Sequence, residues 1–185
     1  MIRSMQKRHL MTLLALVLAL FALVLLHPTA SAAEEEELSG ANIQDGVLLG
    51  YYGSESDITL PNTVTRINDE ALKGNKKIVS VTIPGSVKDI GNNAFQGCPN
   101  LKEIIFTNPD RNNNNLIIRV SAFQDCPNLT TCEIPARAYQ VVGNIFKGCT
   151  SLTEVKVNAN NPHYFTKDDV LFGPALVNYE PQYDK

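Results

Sequence analysis

The sequence predicts a repeat solenoid. The expected form is a short right-handed stack of coils with a parallel β-sheet on one face, short strands and turns on the other, little helix and small hairpin-like end pieces. Three observations carry that expectation. Residues 94–101 read AFQGCPNL and residues 122–129 read AFQDCPNL, one octapeptide written twice with a single change. The segment 81–103 repeats 58–80 at an offset of 23 residues, and 132–154 is another copy of that length. Between them, 104–131 is the same unit lengthened to 28 residues by an insertion around PDRNNNN. A period of this size marks an architecture whose unit cannot bury its apolar face alone and stacks on its neighbours instead.

The chain opens with a segment to be set apart from the fold. Arg3, Lys7 and Arg8 precede an almost wholly apolar run over residues 10–26, and Ala30-Ser31-Ala32 follows. A basic start, an apolar middle and a small-x-small end describe a secretory signal peptide over residues 1–32, cut after Ala32. An uncleaved anchor is the alternative, at the short limit for spanning a bilayer. Processing removes 3 of the 16 basic residues and none of the 19 acidic ones, leaving 13 against 19, a formal charge of −6. An acidic chain without basic clusters has no electrostatic footprint for nucleic acid. The glutamates at 34–37 place an acidic, disordered leader at 33–44.

Each later element has a reason in the repeated columns. Four units lie at 58–80, 81–103, 104–131 and 132–154, with a fifth starting at 155. Leu101-x-x-Ile104-x-Phe106, Leu129-x-x-Cys132-x-Ile134 and Leu152-x-x-Val155-x-Val157 share one spacing, whose last residues alternate in and out as a short strand requires. Pro61, Pro84 and Pro135 stop those strands, because proline cannot donate to a ladder. A second apolar pair, Val64/Ile67 and Val87/Ile90, marks another short extended piece. Leu72, Phe95, Phe123 and Phe146 occupy one column and plug each coil from the outer side. Gly74, Gly97, Asp125 and Gly148 occupy another, where a tight turn with positive φ fits. Leucine-like spacing at this period indicates a leucine-rich-repeat solenoid.

The pattern I-P-x-x-V-x-x-I-x-x-x-A-F-x-x-C-x-x-L resembles the BspA-type leucine-rich repeat family of bacterial surface antigens over about residues 45–180. The first unit departs from it, with Leu72 and Asn75 where the others carry Phe and Cys; degenerate end repeats are normal, since an end coil has one neighbour. The resemblance implies a secreted or surface-displayed protein that binds other macromolecules, often host or matrix proteins. It also implies short end segments at residues 45–57 and 158–185, the second with a hairpin turning at Gly173-Pro174. An alternative reading is that the chain is the N-terminal piece of a longer repeat protein, since it stops soon after Tyr179-Glu180-Pro181.

No constellation for catalysis is visible. Cys98, Cys126 and Cys149 recur at one position of successive coils, and Cys132 sits in a strand column, so small buried apolar groups account for all four. Neighbouring coils lie ~4.8 Å apart, within bridging range for a disulfide. Three equivalent cysteines cannot all pair, so the reduced ladder is the expected state. On apolar packing alone, serine should be worse than alanine there, because a hydroxyl would need a partner. No CxxC and no clustered histidine indicates a metal, and no cofactor is expected. His163 reads as a surface residue, Asp168-Asp169 as a solvated turn, Asp125 as a turn residue rather than a calcium ligand, and the sequon at Asn128 as part of the repeat. Function is therefore expected on free surface, with a protein as partner. The outward strand positions Thr59, Ser80, Thr82, Glu103, Ile105, Thr131, Glu133, Glu154 and Lys156 form a candidate binding stripe. The insertion, with Arg111, Asn112, Asn113 and Asn114, is a second candidate. A carbohydrate-binding surface protein is the alternative, weakened by the absence of tryptophan. Expressed in a secreting bacterial host, the protein should begin at Ala33 by intact mass; a product retaining residues 1–32 would support the anchor.

Overall fold

A computed structural model of the chain describes residues 37–107, 116–167 and 170–173. Within them lie thirteen strands and no helix. No helix of the described residues is long and apolar enough to cross a membrane; the apolar run at 10–26 lies outside them. The architecture is a β-solenoid, each coil supplying one strand to each of two sheets.

The first sheet holds β3 (Asp57–Thr59), β5 (Ser80–Ile83), β7 (Glu103–Phe106), β9 (Thr131–Ile134) and β11 (Glu154–Val157), all parallel and neighbouring in that order. Its register is the sequence period made visible: Ile58, Val81, Ile104, Cys132 and Val155 lie opposite one another and point into the core. The second sheet contains β4 (Arg66–Ile67), β6 (Asp89–Ile90), β8 (Leu116–Ile118) and β10 (Ala138–Val141), the short extended pieces that the second apolar pair foretold. Between the sheets, Phe95 and Phe123 are fully buried and Phe146 nearly so. Their rings stack from coil to coil with centroids 5.5 and 5.8 Å apart.

On the outer turns the coils are joined by backbone hydrogen bonds: Leu72 N to Ala94 O, Phe95 N to Ala122 O and Phe123 N to Ile145 O, at 2.8, 2.8 and 3.0 Å. The turn column has the backbone predicted for it, with φ of 68°, 69°, 57° and 76° at Gly74, Gly97, Asp125 and Gly148. A second left-handed column, Glu70, Asn93 and Ser121 with φ of 59°, 55° and 56°, carried no glycine signal. Charged side chains join the coils on the second sheet: Arg119 makes a two-pronged contact with Asp89 at 2.7 and 2.9 Å.

The ends differ from the expectation. Residues 41–44, assigned to the disordered leader, form β1 (Ala41–Gln44), antiparallel to β2 (Val47–Tyr51), which begins the second sheet against β4. Asp45 and Gly46 take φ of 49° and 74° and close the hairpin, the Asp-Gly two-residue turn that matches strand twist. That dipeptide, flanked by apolar residues, was the signal that reading the glutamate run as a leader passed over. At the other end, β12 (Phe165–Lys167) pairs antiparallel with β13 (Val170–Phe172). This hairpin lies one strand earlier than the expected turn at Gly173-Pro174, and residues 174–185 are outside those described. Just before it, the Tyr164 hydroxyl accepts Val141 N–H at 2.7 Å, and Asn161 Nδ2 donates to Pro135 O and Ala138 O at 2.8 and 3.2 Å. These side chains bond the open edge of β10 that a further coil would otherwise cover.

Because Phe123 contacts the ring of the coil on either side, Phe123→Ala is expected to destabilise the protein by ~3–5 kcal/mol. The loss should spread beyond its own coil. Chemical denaturation checks the first point and amide exchange the second; a loss under about 1 kcal/mol would remove the phenylalanine column from its role.

Candidate binding surface

Side chains alternate along every strand of the first sheet, so each residue that faces the core leaves its neighbours facing solvent. Register gathers the outward ones into two rows. One row runs Asp57, Ser80, Glu103, Thr131, Glu154; the other runs Thr59, Thr82 and Ile105, with Glu133 opposite Lys156. All nine stripe residues are thus on one face, Ser80 and Thr82 half-buried and the rest exposed, Ile105 at 39%. Asp57 joins them unforeseen; its signal was its place two residues before Thr59, on the same face of the strand. Hydrogen bonds from the hydroxyls of Ser80, at 2.7 Å, and Ser56, at 2.8 Å, hold its carboxyl below the usual carboxylate range. The candidate loop Arg111, Asn112, Asn113 and Asn114 lies outside the described residues.

The face is interrupted at one seam. β5 and β7 pair over four residues, as do β9 and β11, whereas β7 and β9 pair only at Glu103–Thr131 and Ile104–Cys132 among the described residues. Past that point the strands part, and an open depression of about 280 Å³ lies between them, lined by Ile105, Phe106, Glu133 and Pro135 among others. The lengthened third coil explains the break. Where its neighbours read Ile83-Pro84-x-x-Val87 and Ile134-Pro135-x-x-Ala138, it carries Phe106-Thr107 and then the insertion.

One side chain links the fourth coil directly to the second. In the second coil the Ser86 hydroxyl donates one coil back, to Val64 O at 2.7 Å. Arg137 holds the equivalent place in the fourth coil, but its guanidinium reaches two coils back, donating to Val87 O and, at 3.0 Å, to Pro84 O. A serine could not cover that distance. Arg137 is 2% exposed, and burial pulls its pKa down to about 10, so it stays cationic at neutral pH. In the sequence, only its position in the coil directly after the lengthened one could have singled it out.

The cysteine column is structural, in a more specific way than apolar packing. Cys98, Cys126 and Cys149 donate to Leu72 O, Phe95 O and Phe123 O of the preceding coil, each at 3.1 Å. Asn75, the first unit's departure from the pattern, does the same, donating to Tyr51 O at 3.4 Å. The column therefore selects a compact donor, and cysteine supplies one with an apolar body. The asparagine of the octapeptide repeats the device: Asn100 donates to Lys76 O and Asn128 to Pro99 O, both at 2.7 Å. All four cysteines are free and buried. Burial pushes the Cys132 thiol far above its ordinary range, and contact with Cys126 together with burial does the same to Cys149. Such thiols stay protonated and are poor nucleophiles. Among the described residues no group of three or more His, Cys, Asp and Glu side chains is placed to hold a metal. His163 packs edge-on against the Tyr139 ring, centroids 5.3 Å apart.

Residues 49–167 match the model of the BspA-type leucine-rich repeat region in six copies. The chain belongs to the BspA-type leucine-rich repeat family. Solved structures agree on the fold. The pneumococcal vaccine antigen PcpA is similar with a TM-score of 0.55 and 24% identity, over 68% of this chain and 38% of its own. A leucine-rich repeat protein from Bacteroides capillosus is similar with a TM-score of 0.53 and 26% identity, over 61% of this chain and 86% of its own. This BspA-type chain thus spans well under half of the pneumococcal antigen. No curated protein matches it.

The donor column reverses one expectation from sequence. A serine at 126 would find Phe95 O as a partner, so it need not carry an orphaned hydroxyl. Cys126→Ser is expected to melt no lower than Cys126→Ala and to retain up to about 1 kcal/mol that alanine loses. Melting curves of the two variants decide between hydrogen bonding and apolar packing alone, and four free thiols should be counted on the unfolded, non-reduced protein.

Proposed function

We propose that this protein is an exported, non-enzymatic protein-interaction module, surface-associated or secreted, acting in adhesion or in binding host or matrix proteins. The observation that carries the reading is the solvent-facing side of the first sheet. Two rows of aligned side chains, hydroxyl-rich and acidic, with Ile105 exposed among them, stand on paired parallel strands. A backbone already hydrogen-bonded in a sheet need not be ordered on binding. Export is supported by the basic, apolar and small-residue sequence of the first 32 residues and by membership of the family.

The test is binding of the secreted protein to immobilised extracellular-matrix proteins and, in parallel, to glycans. Specific binding to a protein is expected, and Thr82→Arg with Thr131→Arg, both on the sheet face, should reduce it at least tenfold, about 1.4 kcal/mol. Lys73→Glu on an outer turn should leave it within about twofold, as a surface change remote from the contact does. Glycan binding without protein binding, or equal effects of the two changes, would refute the reading.

A further inference from the structure

We propose that the open seam between β7 and β9 is the anchoring subsite of this surface, and that its occupant is a lysine or arginine side chain of a protein partner. The proposal rests on the sheet face being the binding face and names what one part of it takes. Three features of the seam point to that chemistry. The first is shape: the strands part after Ile104 and Cys132, so this is the place on the described sheet face where a side chain can enter between coils rather than lie on them.

The second is the lining. Ile105, Phe106 and Pro135 give the depression apolar walls, suited to the methylene stem of a long basic side chain. The third is charge. Glu103 and Glu133 also line it, and neither has an ion-pair partner among the described residues; Glu133 accepts only Asn158 Nδ2, at 2.9 Å. Lys156 lines it too but is paired with Glu154 at 3.3 Å. Apolar walls with two uncompensated carboxylates at the mouth complement a cation on an aliphatic stem, and disfavour an acidic or purely apolar one. Arg137 also bonds the fourth coil directly to the second, so the coils on either side of the lengthened one are fixed before a partner arrives.

The experiment is a proton–nitrogen NMR titration of the full processed chain with three capped tripeptides, Gly-Arg-Gly, Gly-Leu-Gly and Gly-Glu-Gly. The arginine peptide should give saturable shifts at the amides of residues 104–106 and 131–134, weakened by added salt, and the other two should not. Glu103→Gln with Glu133→Gln should weaken the arginine peptide about tenfold, the combined worth of two exposed ion pairs of ordinary strength; these are exposed strand positions, and an unchanged spectrum elsewhere certifies the fold. Glu55→Gln, at an exposed position before β3 and outside the seam, should have no such effect. Equal shifts from all three peptides, shifts that survive the double substitution, or shifts confined to other sites would overturn the proposal. If the secreted protein binds a matrix protein but the double substitution leaves that binding intact, the seam assignment fails while the binding face stands; if no protein binds, the broader reading fails on its own.

Discussion

The structure depends on one constraint: in a stack of coils, each coil's backbone must be hydrogen-bonded by the coil beside it. The described coils contain no helix and their strands pair with strands of neighbouring coils, so each coil's polar groups are left for its neighbours, and an unpaired buried one costs ~1–3 kcal/mol. This explains why so many repeated letters are donors. The cysteine and asparagine of the octapeptide both reach back one coil, and Asn75 takes the cysteine's place in the first unit for the same reason. It explains the ends as well. The β1–β2 hairpin closes one side, and Asn161 and Tyr164 meet the exposed groups of β10 on the other.

The third coil shows the constraint by breaking it. Its sequence carries Phe106-Thr107 where the second and fourth coils have Ile-Pro. The fold answers with a long donor in place of a short one, Arg137 where the second coil uses Ser86. A buried cation is normally expensive; here two carbonyls of one turn share it, and its lowered pKa still leaves it charged. The same irregularity parts β7 from β9 and produces the one depression described on an otherwise regular face. Regularity makes the scaffold, and the departure from regularity makes the depression.

The sequence by itself determined the fold and most of its core. Period, strand columns, the phenylalanine plugs and the positive-φ turn column were all legible, because in a solenoid each contact recurs at fixed separation and every structural rule is written several times over. The outward stripe was legible for the same reason, since strand alternation fixes which face a residue takes. What only the tertiary structure decided are the features that occur once. The reach of Arg137 and the parting of β7 and β9 depend on what lies one or two coils away in space, and no column repeats them; the Asp45-Gly46 hairpin also occurs once, but its signal was local. The cysteines stand between these cases. Their recurrence announced packing, but that each thiol is a hydrogen-bond donor depends on the carbonyl it faces, which belongs to another coil and is set by the stacking geometry rather than by any letter nearby.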